Sequence, residues 1–478
     1  MRTDSGAVDV SRRQVLGLML GLGVAACARQ PVPQSAPASP VPTTGRVRDL
    51  ALSAQPVQMD LGGHTVTTWA YGSVPGKPLR ADVGDRVRIR LRNDLPEATS
   101  VHWHGLPVPN AMDGVPDVTM AAVAPGHAFT YEFVVPVAGT HWLHPHMGVG
   151  QLDRGLYAPF IVDDPHESGD YDREWIVVLD DWTDGVGPSP QQIYDDLVAS
   201  GGQNTSGGMM GMDHGGMMMD GGDVNYPLYL MNGRTASDPD VLNAKRGERI
   251  RIRFINAGAD TVFTVALGGH RMQVTHSDGY PVRPVTTQAL RIGMGERYDV
   301  IVTAQDGRFP LVAEPEGKSG YAIAYLRTGS GGSPQRPSEL DANPLTVSAL
   351  QAAPGAALPA REPDHTADLT LAGSMGPYRW TINGATYEQA DPITVKQGEL
   401  LRLRMVNMSM MSHPMHLHGH TFQVGGAGSA GPRKDTVLIP PMGSVTADLL
   451  ADNPGKWMLH CHNAYHAEAG MMTRLDYQ

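Results

Sequence analysis

The sequence predicts an all-β chain of three homologous two-layer domains, and three observations predict it. One pattern, "GDRVRIRLRND" at 84–94, returns as "GERIRIRFINA" at 247–257 and as "GELLRLRMVNM" at 398–408. Each copy opens on glycine and an acid, then alternates apolar with basic residues. A period of two marks a strand with one buried face, Val, Ile and Leu pointing inward and Arg outward. Helical periodicity is weak, whereas Gly, Pro, Asn and Asp turns recur, and 56 glycines suit a turn-rich β protein. Finally, 478 residues at 41% hydrophobic and 18% charged content accommodate two to four soluble globular domains. The repeat selects three, each expected to open on a similar edge hairpin.

In chain order, "SRRQVLGLMLGLGVAAC" joins Arg12 and Arg13 to an apolar stretch too short to span a bilayer. Residues 1–27 therefore read as an export signal. The paired arginines resemble the Tat signal, and Val24-Ala25-Ala26-Cys27 resembles a lipobox, in which Cys27 is lipidated. Plain cleavage near the alanines is the other reading. Residues 28–44, rich in Pro, Ala, Ser and Thr, read as a flexible tether. Either way the mature protein is expected in the periplasm or cell envelope, touching the membrane only through a lipid on Cys27. The first domain is placed at 45–164, the second at 165–330 and the third at 366–478, with a linker at 331–365. Cys27 and Cys461 are the only cysteines, so no intrachain disulfide is expected. A formal net charge of −12 excludes the basic face that a nucleic-acid partner requires. A monomer is expected.

The histidines follow the repeat. "SVHWHG" (100–105) and "SHPMHLHGH" (412–420) come shortly after the repeated strand in the first and third domains. "GTHWLHPHM" (139–147) matches "GKWMLHCHN" (455–463), so that His144 falls on His460, His146 on His462 and Pro145 on Cys461. The second domain has no such pairs and reads as a spacer. A lone His-x-His is commonly a surface accident; four in register across two repeats indicate a metal centre. Alternate side chains of a strand share a face, so His460 and His462 point one way and Cys461 the other. Imidazole suits copper, and thiolate adds a soft, covalent ligand. His413, Cys461 and His466 form the trigonal set of a blue-copper site, with Met471 as weak axial ligand. The opposite face offers His102, His104, His144, His146, His416, His418, His460 and His462 to a second centre. Cys461 would join the two and give an electron a short covalent path.

From about residue 45 to the end, the chain resembles the three-domain multicopper oxidases, whose four copper signatures are matched by "HWHG", "HPHM", "HPMHLHGHTF" and "HCHNAYHAEAGMM". The resemblance implies cupredoxin-like Greek-key domains and four copper ions. His413, Cys461, His466 and Met471 fall on the type 1 positions, and His102 and His416 on type 2. His104, His144, His146, His418, His460 and His462 fall on the type 3 pair. His141 and His420 lie off the ligand positions and read as supporting or structural residues. The implied reaction takes four single electrons from a reductant and reduces dioxygen to water. Protons are also needed, and Asp113, in "NAMDGVP", matches the family's acidic residue beside type 2 copper. Several bacterial relatives carry a glutamate just after the last type 1 histidine; here that position is Ala467, with Glu468 one further on.

The electron donor is read from methionine. The glycine-rich segment 207–223 carries Met209, Met210, Met212, His214, Met217, Met218 and Met219, and its composition predicts a mobile loop. Met408, Met410 and Met411 lie just before His413. Thioethers are soft and favour Cu(I). This resembles the bacterial cuprous oxidases of copper tolerance, in particular the actinobacterial lipoprotein type. A laccase-like enzyme taking electrons from small phenols is the alternative. A third reading, an exported copper-sequestering protein, leaves the complete dioxygen site unexplained.

Overall fold

The recurring pattern folds into the strands Arg86–Asn93, Arg249–Asn256 and Leu400–Asn407 of the computed structural model, which describes residues 43–167, 169–200, 221–331 and 335–478. None of the three belongs to an edge hairpin, contrary to the sequence expectation. Each is an inner strand, parallel to an earlier one (Val47–Asp60, Arg173–Trp182, His365–Met375) and antiparallel to a later one (Ala128–Val134, Arg297–Thr303, Ser444–Leu450). Parallel neighbours require a crossover. Here the chain makes it by visiting the facing sheet in the short strands Leu79–Asp82, Asp240–Asn243 and Ile393–Val395. That excursion generates the second layer. The result is three two-sheet, all-β units with sheets of four and four, six and five, and six and five strands.

The inward-outward pattern holds in the first copy, where every arginine is exposed and every apolar residue buried. It fails in the second: Arg251 and Arg253 are buried. Both clasp Asp299, at 2.6 and 2.9 Å, and Arg253 also donates to Thr140 Oγ1 at 2.9 Å. Thr140 lies in the first unit, so the face predicted to meet solvent meets a neighbouring sheet instead. Buried guanidinium groups persist there because each is paired.

Apolar burial places the site. In the first unit Trp103, between two motif histidines, packs edge-on against Tyr131, Phe133 and Phe160. Its fully buried indole anchors the His102–His104 strand. A larger core runs unbroken from Phe254, Phe263 and Tyr298 of the second unit to Trp457, Cys461 and Met471 of the third. Cys461 is thus set inside close-packed apolar structure rather than on a loop. Within 331–365 some of the described residues are packed as well: Leu340, Leu345 and Leu350 are buried, and Ala352 N–H donates to the Ala430 carbonyl at 2.8 Å. The described α-helices are Val149–Leu152, Pro190–Ser200 and Ala464–Glu468. Among the described residues no helix is long and apolar enough to cross a membrane. The leader with Cys27, the tether up to 42 and the methionine-rich stretch with Met209 to Met219 and His214 lie outside the described residues.

Candidate metal centre

Two strand pairs gather the four histidine motifs. His102–His104 runs antiparallel to Gly139–His144, setting His102 opposite His144. His413–Leu417 runs antiparallel to Lys456–Cys461, setting His416 opposite His460 and Met415 opposite Cys461. Strands from the first and third units then meet through their imidazoles. His102 Nε2 lies 3.4 Å from His416 Nε2, and the His146 and His418 rings lie 4.9 Å apart; within the third unit His418 Nε2 lies 3.0 Å from His460 Nε2. Nitrogens of His104, His144 and His462 form one set within 4.8 Å, and those of His146, His418 and His460 another. All eight predicted histidines come together.

The donor chemistry fits a metal cluster. His104 Nδ1, His144 Nε2 and both ring nitrogens of His462 are buried without a hydrogen-bond partner, a condition that native interiors rarely leave uncompensated. Burial, reinforced by neighbouring imidazoles, pushes His104, His144, His146, His418 and His462 well below the ordinary histidine range, and His460 to about 3. The rings are neutral and their lone pairs free to ligate near neutral pH.

Hydrogen bonds on the far side of several rings fix which nitrogen faces inward. His418 donates from Nδ1 to Asp113 Oδ2 at 2.9 Å, and His102 Nδ1 lies 3.1 Å from Oδ1 and 3.0 Å from the Asp113 carbonyl. Asp113 therefore orients one imidazole from each strand pair. It can do so because Gly114 follows: a Cβ there would fall 1.8 Å from the Val101 carbonyl. His104 is turned the other way. It donates from Nε2 to Asp435 Oδ1 at 3.0 Å and presents Nδ1 inward.

Asp435 was not found from the sequence. Arg297 grips it with two 2.6 Å bonds, and both residues are fully buried. Burial alone would raise its carboxyl, but Arg297 and the bonds from His104 and His416 hold it well below the usual range. The pair also explains the last residue of "HWHG": a Cβ on Gly105 would fall 2.3 Å from Arg297 and 2.8 Å from Asp435. Arg297 belongs to the second unit, which is therefore more than a spacer. Asp435→Asn should weaken copper retention by the histidine cluster about 10- to 100-fold, read as bound copper per chain after dialysis against a chelator. Retention equal to wild type would remove Asp435 from the support of the cluster.

On the other face of the strand, Cys461 Sγ lies 3.6 Å from His413 Nδ1 and 3.7 Å from His466 Nδ1. Asn463 caps the short helix Ala464–Glu468, accepting from the Tyr465 and His466 amides, and so turns His466 back over the sulfur. Met471 is buried in the same core, and its carbonyl accepts from the Cys461 amide at 3.0 Å. Burial pushes the Cys461 thiol up, so a thiolate here calls for a cation beside it. The outer nitrogens reach two further residues the sequence did not single out. His413 Nε2 meets Ser409 Oγ at 2.8 Å, and His466 Nε2 meets Asp223 Oδ2 at 3.1 Å. No spacing rule links either residue to its histidine; only the fold does.

A cavity of about 200 Å³ is lined by His144, His146, His460, His462, Ala467 and Glu468. Glu468 accepts from the Val149 amide at 3.3 Å, and burial raises its carboxyl. His420 bonds the His418 carbonyl and Tyr477 and stays outside the clusters. His141 is buried without a partner, beside Gly279 rather than among the ligand sets. Met408 and Met410 are exposed, and Met411 is half-buried.

Three multicopper oxidase family models match the chain, at residues 53–167, 173–331 and 360–478. The chain is 49% identical to the multicopper oxidase MmcO of Mycobacterium tuberculosis, over all of this chain and 99% of that protein. It is 29% identical to copper resistance protein A of Escherichia coli, over 89% of this chain and 93% of that one. The crystal structure of the laccase from Botrytis aclada superposes with a TM-score of 0.73 at 26% identity, covering 91% of this chain and 88% of that chain. Family models spanning all three units, and a relative half-identical from end to end, agree with the histidine and cysteine geometry: the chain belongs to the multicopper oxidase family, whose members are oxidoreductases.

Proposed function

We propose that the protein is an exported cuprous oxidase that couples oxidation of Cu(I) at a type 1 site to reduction of dioxygen at a trinuclear cluster. The observation that carries it is Cys461 standing between a three-donor set on one face of a strand and eight imidazoles on the other. His413, Cys461 and His466 with Met471 would hold type 1 copper. His102 and His416 would hold type 2, and the sets of His104, His144, His462 and His146, His418, His460 would hold one type 3 ion each. When bound, the four copper ions accept electrons singly and deliver them to dioxygen, which is reduced to water.

The chain's own residues do the rest. Cys461 and its flanking histidines connect the two sites through one peptide backbone. Asp113 holds His102 and His418 in register and is a carboxylate beside the imidazoles where protons would be consumed. Glu468, on the wall of the same cavity as four of the imidazoles, is positioned to pass protons from outside. It takes the part that Ala467 cannot.

Cu(I) as donor is supported by the methionines before His413 and in 207–223, and by likeness to a copper resistance protein. The twin arginines and the sequence around Cys27 support Tat export and a lipid anchor. Oxygen uptake by the copper-loaded protein tests the donor, with Cu(I) or a phenol as sole reductant. We expect kcat/KM for Cu(I) to exceed that for the phenol by about tenfold or more. A preference for the phenol would make the enzyme laccase-like, and no uptake beyond the uncatalysed rate would make it a sequestering protein.

A further inference from the structure

Seven of the eight cluster histidines are buried, and the eighth, His146, is half-buried. The buried sides are closed by other side chains. Asp113 stands behind His102 and His418, and Asp435 stands behind His104. Trp142 packs 4.6 Å from the His144 ring and 5.0 Å from that of His104. All three closing residues are themselves buried. The open side is the cavity of about 200 Å³ lined by His144, His146, His460 and His462. At its rim Gly148 and Glu468 are exposed, and Glu468 reaches across to the Val149 amide.

Two methionines line this cavity, and each follows a ligand position by one residue. Met147 comes directly after His146, and Met472 directly after Met471. Strand alternation sends Met471 and Met472 to opposite faces. Met471 joins the core around Cys461, whereas Met472 stands opposite His460 in the antiparallel register. Directly opposed residues share a face, with Cβ atoms about 5 Å apart. Met472 therefore lies beside His460 as Met147 lies beside His146. Both methionines are half-buried, so each is open to solvent on one side and to the cluster on the other.

Much of the remaining wall is apolar, with Leu152, Ala257 and Ala464. A cation entering such a space loses water with nothing in return unless the wall supplies ligands. Thioethers supply uncharged, soft ones that suit Cu(I) and hold Cu(II) poorly. Leucine would fill the same volume. What methionine adds at these two positions is the sulfur.

We infer that Met147 and Met472 form an entry site that loads Cu(I) into the histidine cluster, receiving the ion at the cavity rim and passing it to His146 and His460. The step is a ligand exchange without change of oxidation state: contacts from copper to sulfur give way to contacts from copper to nitrogen. It rests on the assignment of the eight histidines to copper and is independent of which donor the enzyme oxidises.

The double variant Met147→Leu, Met472→Leu tests it, since both changes conserve volume and remove only the sulfur. Copper-free full-length protein would be exposed anaerobically to chelator-buffered Cu(I), and total copper per chain followed with time. Blue absorption after air is admitted reads the Cys461 site separately. The variant should fill the histidine cluster about tenfold more slowly than wild type, the scale on which lost metal partners act. The Cys461 site should fill at the wild-type rate, and loading with Cu(II) should be the same in both proteins. Once fully loaded, the variant should match wild type in copper content and oxygen uptake. Equal rates of Cu(I) loading, or a delay of the same size with Cu(II), would overturn the entry site and leave the cluster assignment standing. A wild type that holds copper only at the Cys461 site would overturn the cluster assignment and the entry site together.

Discussion

Cys461→Ser should give a colourless protein that oxidises no donor, at less than about a thousandth of the wild-type rate, because electron entry and delivery act as a unit. A serine hydroxyl offers neither the soft thiolate nor its covalent link to copper. The Sγ lies 3.6 and 3.7 Å from the two Nδ1 atoms, and Cys461 is the one cysteine among the described residues, so no other thiolate can replace it in that set. The fold should survive. The substitution places a hydroxyl in a closed apolar core, a loss of about 1–3 kcal/mol against the long strand ladders around it. The eight-histidine cluster should still bind copper, since its ligands leave from the opposite face of the strand. Thermal unfolding, copper content and visible absorption measured together check this. A Cys461→Ser variant that stayed blue would sink the assignment of the bridge.

The second large effect is expected at Asp113. Its carboxylate accepts from His418 Nδ1 at 2.9 Å through Oδ2, while His102 Nδ1 bonds the Asp113 backbone carbonyl at 3.0 Å and Oδ1 is buried without a hydrogen-bond partner. An unpaired carboxylate oxygen beside the imidazoles can take up and pass on a proton, which the amide of Asp113→Asn cannot. The variant should keep blue absorption and accept electrons at the wild-type rate, because the Cys461 side of the strand is untouched. Its return to the oxidised state in oxygen should slow by about 100-fold or more, the scale of positioned acid-base catalysis. Stopped-flow mixing of reduced protein with oxygenated buffer reads this as recovery of the blue band. Recovery at the wild-type rate with full copper content would take Asp113 out of the proton step.

Much of this was legible in the sequence for a specific reason. Copper ligation needs particular atoms at short range, and strand alternation converts that need into fixed spacing. His102 with His104, His144 with His146, His416 with His418 and His460 with His462 could therefore be read two residues apart. The partition by face, with Cys461 opposite its neighbours, follows from the same period. What supports the ligands carries no such spacing. Asp435 reaches His104 across the unit boundary, Arg297 reaches Asp435 from the second unit, and Asp223 reaches His466 from far back in the chain. These are tertiary contacts among common residue types. Gly105 and Gly114 were the available hints, since each marks a close approach that a Cβ would block. The arginine pattern misled for a related reason. Alternation reports which residues share a face, and whether that face meets water or another sheet depends on assembly, as Arg251 and Arg253 show. The edge-hairpin expectation failed because a local pattern does not reveal the partner strand, and parallel pairing joins segments well apart in the chain.

The central claim is that one strand separates two copper sites with Cys461 between them. The most direct measurement is an anomalous difference map, recorded at the copper absorption edge from crystals of fully loaded, active protein. Four peaks are predicted: one within His413, Cys461 and His466, and three among the eight histidines on the opposite face. A fully loaded, active protein with no peak at Cys461, or with fewer than three among those histidines, would contradict the account.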